Sequence, residues 1–133
     1  MTDDSAPTWA VRANAVAHLG RVGWIQRRYA ATRNDGGACC LVESIGRGAG
    51  LPPLALTGDR PKQHIRDTYP EQLRAAEATI GVVAAELGRP KSTSISAQDW
   101  LANWNDHKER TFPQVVEALM GDHILEILAG AHA

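Results

Sequence analysis

Apolar residues recur at spacings of three and four along much of the chain, which is the period of a helix and not of a strand. Ser5 to Leu19 places Trp9, Ala13, Val16 and Leu19 on one face. Ser5 is suited to cap that helix, Pro7 to its first turn, and Gly20 is expected to end it. Ala38 to Arg47 resumes the pattern with Cys40, Leu41 and Ile45 and predicts a short second helix that stops between Gly46 and Gly50. Leu73, Ala76, Ile80, Val83, Ala84 and Leu87 mark another helix, closed by Gly88 and Pro90. Ahead of it, Thr68-Tyr69-Pro70-Glu71 spells a capping box, in which Thr68 accepts from a first-turn amide and Glu71 reaches back to the amide of Thr68. Ser96-Ala97-Gln98-Asp99 predicts a further start that carries Trp100, Leu101 and Trp104 into the core. Thr111-Phe112-Pro113-Gln114 repeats the capping chemistry before Val115, Val116, Leu119, Ile124, Leu125 and Leu128, with Gly121 weakening that last helix by about 1 kcal/mol relative to alanine.

Two stretches break the period. From Arg21 to Gly37 the apolar residues Trp24, Ile25 and Tyr29 sit among arginines and run into Asn34-Asp35-Gly36-Gly37, a turn signal that predicts an irregular arm with a short strand or hairpin near residues 23–40. Pro52-Pro53, Gly58 and Pro61 make the segment at about 47–63 a Pro/Gly-rich loop, since proline removes amide donors and restrains the residue before it. The pattern therefore predicts an all-α fold of four to five helices, with residues 1–133 forming a single helical domain.

Composition changes the picture mainly by exclusion. Within 133 residues, 14 Lys+Arg face 15 Asp+Glu and hydrophobic residues make up 44%, enough for a core that needs neither disulfide nor metal. The near-neutral balance argues against the strongly basic surface that simple nucleic-acid binders use. No apolar run approaches the roughly 20 residues of a membrane span, so no membrane role is expected. Met1-Thr2-Asp3-Asp4-Ser5-Ala6 starts acidic without an apolar stretch behind it, which points to the cytoplasm. Cys39 and Cys40 are adjacent, a poor geometry for a mutual disulfide and too few ligands for zinc, so both are read as reduced and buried.

Candidate chemistry is sparse. His18, His64, His107, His123 and His132 show no ligand-pair spacing, and the nearest approach to a metal site is Asp122-His123 with Glu126 on the following turn. Gly46-Arg47-Gly48-Ala49-Gly50 lacks the Gly-Lys-Ser/Thr ending of a phosphate loop and leads into prolines, so it reads as a helix end and a loop. A nucleophilic role for Cys40 would need a histidine base that the sequence does not place. No catalytic residue, no metal and no cofactor is assigned on these grounds.

The positive feature is the segment from Arg21 to Arg33, which carries Arg21, Arg27, Arg28 and Arg33 with no acidic residue among them. Trp24, Arg27, Arg28, Tyr29 and Arg33 are the candidate partner-binding residues, since arginines interleaved with aromatics suit an acidic protein surface or a nucleic acid. Whether Trp24 and Tyr29 are core or surface stays open at this level. Residues 101–133 lean acidic, with Asp106, Glu109, Glu117, Asp122 and Glu126 against Lys108 and Arg110, a pattern that suits internal pairing or head-to-tail self-association into a homodimer. Trp100, Trp104, Cys40 and Leu41 are assigned to the structural core.

Three groups of residues together resemble a family of small actinobacterial and actinophage proteins of unknown function. They are Gly23-Trp24 followed by Tyr29 and a Gly-rich turn, Cys40-Leu41 with Ile45 four residues on, and Trp104-Asn105-Asp106 with Arg110-Thr111 and Val115 or Val116. Glu43 and Ser44 stand where that family's pattern has a Gly-Ala pair. The resemblance implies a helical intracellular domain and transfers no catalytic residue. The expected function is a non-enzymatic α-helical interaction module with a protein partner not yet identified, a host protein if the chain is phage-encoded. The alternatives are a nucleic-acid-binding regulatory protein using residues 21–33 and a small enzyme of unknown reaction.

Overall fold

The computed structural model of the protein describes residues 5–31, 37–57 and 62–121. Within them lie six helices, α1 (Ser5–Val22), α2 (Leu41–Gly48), α3 (Lys62–Thr68), α4 (Pro70–Glu86), α5 (Ala97–Asn105) and α6 (Phe112–Met120). The described fold is thus mainly helical, with more helices than the four to five expected. No strand forms among the described residues. The predicted strand near residues 23–40 reduces to isolated bridges of Cys39 with Trp24 and with Ala30.

The packing of α1 on α2 is the most extensive helix contact, and it explains the glycine at position 48. Val11, Ala15 and Leu19 of α1 bury against Leu41, Val42 and Ile45 of α2. Gly48 is the last residue of α2, within the expected stop between Gly46 and Gly50. A Cβ there would lie 2.5 Å from the Val11 carbonyl oxygen and 2.8 Å from the Ala15 amide nitrogen, so the two helix backbones touch through it. Asn14 Nδ2 adds a 3.2 Å hydrogen bond to the Gly48 carbonyl. Gly20, by contrast, faces open space and ends nothing; α1 continues to Val22 and stops at Gly23, whose φ of 94° is accessible to glycine at little cost.

The second helix begins at Leu41 and not near Ala38, because Cys40 is its N-cap and accepts from the Glu43 amide through Sγ. Glu43 and Ser44 do not loosen this helix. Ser44 Oγ donates to the Leu41 carbonyl at 2.6 Å, and the buried Glu43 carboxylate accepts the Leu54 amide at 2.8 Å. Glu43 thereby holds the turn over residues 51–57, where Leu54 sits at a φ of 59°.

The capping box expected at Thr68 does not form. Thr68 is the last residue of α3, with its hydroxyl 3.4 Å from His64 Nδ1, and Tyr69 precedes α4 without a side-chain cap. The look-alike at Thr111 does form: Thr111 Oγ1 accepts the Gln114 amide while Gln114 Oε1 accepts the Thr111 amide. Ser96 caps α5 as expected, accepting the Asp99 amide at 3.1 Å. Leu101 and Asn105 are the fully buried residues of α5, and Trp100 and Trp104 are half-buried against the core.

Helix α4 crosses α1, α2 and α5 with Ala76, Ile80, Val83 and Ala84 inward. Arg12 of α1 is fully buried beneath it, with Nη2 2.9 Å from Glu86 and its guanidinium 4.2 Å from the Trp9 ring. Gly121, at a φ of 56°, terminates α6 against this pair and is not interior to a longer helix; Ile124, Leu125 and Leu128 lie outside the described residues. No described helix is long and apolar enough to cross a membrane.

Candidate functional site

The described part of the arginine arm, residues 23–31, is a loop that pairs with a short extended segment at residues 38–40. On one side the Cys39 amide donates to Gly23 and the Ile25 amide to Cys39, at 3.0 and 3.1 Å; on the other the Cys40 amide donates to Tyr29 and the Ala31 amide to Ala38, at 2.9 and 2.7 Å. Residues 38–40 are therefore paired on both flanks, and Gln26, Arg27 and Arg28 form the tip of a compact loop whose ends lie close together.

The turn that follows α5 pins this tip. Gln26 Nε2 donates to the carbonyls of Asn105 (2.9 Å) and His107 (2.7 Å), and the Arg27 amide donates to Asp106 Oδ1 at 2.7 Å. Arg27 sits at a φ of 69°, in the left-handed region. That conformation costs a non-glycine residue about 1–3 kcal/mol and persists only where neighbours over-determine it, as these three hydrogen bonds do.

Asn105 is the centre of the arrangement. Its side chain is fully buried, Oδ1 accepting the Trp24 indole N–H at 2.6 Å and the Leu41 amide at 3.1 Å, Nδ2 donating to the Ile25 carbonyl at 3.2 Å and to Asp106 Oδ1 at 3.1 Å. These four bonds use both donors and both lone pairs of the amide. The side chains of Asn105 and Asp106 thus reach from the turn after α5 across to the arm. Behind them the Trp24 ring stacks on Phe112 at 6.4 Å, and Arg110 donates from Nε to the Trp104 carbonyl while its guanidinium lies 3.7 Å from the Trp104 ring centroid. Gly23-Trp24, Cys40-Leu41, Trp104-Asn105-Asp106 and Arg110-Thr111 thus meet in one place.

Between the arm and α5 lies a cleft of about 460 Å³. Arg27, Arg28 and Tyr29 form one wall. Asp99, Ala102, Asn103 and Asp106, at the spacing of a single helix face, form the other. Ile95, 43% exposed, stands at its edge. Arg27 and Arg28 are exposed, and neither guanidinium forms an ion pair with a described residue. Burial, reinforced by the negative charge of Asp99 and Asp106, raises the Tyr29 hydroxyl above its ordinary value of 10.0. Of the five candidate partner-binding residues, the structure gathers Arg27, Arg28 and Tyr29 at the cleft and puts Trp24 behind it as an anchor; Arg33 lies outside the described residues.

The thiols have a different character. Cys39 and Cys40 are free and buried, and burial pushes both up to about 12. Thiols held that far above neutrality are not thiolate nucleophiles. Among the described residues no three metal-ligating side chains gather; Asp122, His123 and Glu126 lie outside them. His107 Nδ1 accepts the Glu109 amide at 3.2 Å and serves the same turn that holds the arm.

Sequence reasoning missed Asn105, Gln26 and Asp106 as the supports of the arm, and Asp99, Asn103 and Ile95 as its facing wall. The visible signal was an Asn-Asp pair closing a helix, but their partners lie 64 to 81 residues away, beyond any local pattern.

Compared with known protein families, residues 5–121 match one described as a family of unknown function (DUF6197). No curated protein and no solved structure matches the chain.

Proposed function

We propose that this chain, which belongs to that family, is a helical protein-interaction module whose contact surface is the tip of the arm at Arg27 and Arg28. The observation that carries the reading is a mismatch between rigidity and pairing. Three hydrogen bonds and a left-handed residue fix the tip, yet its two guanidiniums point to no partner among the described residues. Preorganised groups bind with less ordering cost, and arginine is over-represented at interface hot spots. A protein suits this surface better than a nucleic acid, because Asp99 and Asp106 share the cleft with the arginines and would oppose a phosphate backbone. The resemblance to actinophage proteins makes a host protein the partner to look for.

The test is capture from an actinobacterial lysate by the intact tagged chain, with and without nuclease, beside Arg27→Glu/Arg28→Glu. The reading expects a nuclease-resistant protein partner whose cross-links map to residues 26–29 and which the double variant loses. Capture that nuclease abolishes would favour the nucleic-acid reading. Capture that the double variant retains would remove the arm from the account.

A further inference from the structure

The cleft behind the tip carries both signs of charge, and their placement describes what it can hold. Arg27 and Arg28 lie on the arm, and Asp99 lies opposite on α5 with no ion pair to a described residue. Asp106 differs from Asp99, because its Oδ1 is already engaged by the Arg27 amide and by Asn105. Between them lies the small side chain of Ala102, and Ile95 offers an exposed apolar edge, being with Val82 one of two exposed large hydrophobic side chains among the described residues.

From this we infer that the cleft takes a protein segment bearing a carboxylate side chain for Arg27 and Arg28 and, close by, a lysine or arginine for Asp99, with an apolar side chain against Ile95. The inference rests on the interaction-module reading and adds the partner's charge pattern to it. An all-acidic segment would bring its second carboxylate against Asp99, and an all-basic one would meet the two guanidiniums. Like charges placed together across an interface suppress the wrong partner, so this cleft discriminates by repulsion as well as attraction. Each guanidinium also offers the fork geometry that a carboxylate accepts bidentately.

The experiment uses the intact protein and short synthetic peptides that share a central leucine and differ only in flanking charge: acidic on one side and basic on the other, acidic on both, or basic on both. Binding is read by fluorescence anisotropy. The mixed-charge peptide should bind at least about tenfold more tightly than either uniform peptide. Asp99→Asn should shrink that preference over the all-acidic peptide, and Asp99→Lys should reverse it, with thermal melts confirming that both variants fold. Equal binding of mixed and all-acidic peptides, or a preference unmoved by Asp99→Asn, overturns the inference. Failure of every peptide to bind overturns it as well. None of these results touches the module reading, which fails if nuclease abolishes capture or if Arg27→Glu/Arg28→Glu keeps its partner.

Discussion

The Asn105 side chain joins the arm, the start of α2 and the turn after α5 through four hydrogen bonds. Removing it leaves the buried Leu41 amide without its acceptor and the Trp24 indole free, and each unsatisfied buried group costs about 1–3 kcal/mol. Asn105→Ala should therefore destabilise the protein by about 3 kcal/mol in denaturant titration. A loss below about 1 kcal/mol would show that the network is not holding the arm. The thiols give a second expectation. Their native pKa near 12 lies above the ordinary value of 9.0, so the unfolded chain gives up protons first as pH rises. Stability from this source is complete below pH 9 and is lost progressively toward 12. The melting temperature should fall across that window, and Cys39→Ala should flatten the fall. Below it, iodoacetamide should label neither thiol until the protein unfolds, whereas labelling of the native state at neutral pH would contradict their burial. In sequence the cysteines were legible as buried and reduced because their adjacency disfavours a mutual disulfide and two thiols are too few for zinc. Asn105 was not, since nothing local distinguishes a helix-ending asparagine that bonds its own turn from one that bonds a loop far along the chain.

At the scale of elements, the long apolar periodicities located α1, α4, α5 and α6, and errors gathered at their ends and at short helices. Thr68-Tyr69-Pro70-Glu71 and Thr111-Phe112-Pro113-Gln114 look alike, but only the second caps a helix, because the first is preceded by α3. That helix escaped notice because Ile65 is its one buried residue, too little for a period to show. The pair makes a clean test: Thr111→Ala should cost about 1 kcal/mol and Thr68→Ala less than about 0.5 kcal/mol. Comparable losses would mean that both threonines cap. The α1–α2 contact is tested at Gly48, where an added Cβ meets backbone that cannot swing away. Gly48→Ala should destabilise by roughly 3 kcal/mol by overpacking, while Gly20→Ala, facing open space inside α1, should stabilise by up to about 1 kcal/mol. Tolerance of alanine at Gly48 would contradict direct backbone contact.

Across the whole molecule, the residues that carry the family resemblance form one scaffold. Gly23 ends α1, Cys40 starts α2, Asn105 and Asp106 grip the loop between them, and Thr111 starts α6 behind the Trp24–Phe112 stack. The sequence made the arginine-aromatic arm visible as a surface of interest, while its facing wall on α5 became visible only with the chain folded. Since exposed charges contribute little to stability, Arg27→Glu/Arg28→Glu should leave the melting temperature nearly unchanged. A variant that unfolds would instead mark the arginines as structural. The central claim is that the turn after α5 holds the arm in one fixed conformation. Its most direct test is amide hydrogen exchange at Arg27, whose N–H donates to Asp106 Oδ1. In the intact protein this amide should exchange far more slowly than in an unstructured peptide, and Asp106→Ala should release it while the amides of α4 stay protected. Free exchange of the Arg27 amide in the unmodified protein would contradict the account.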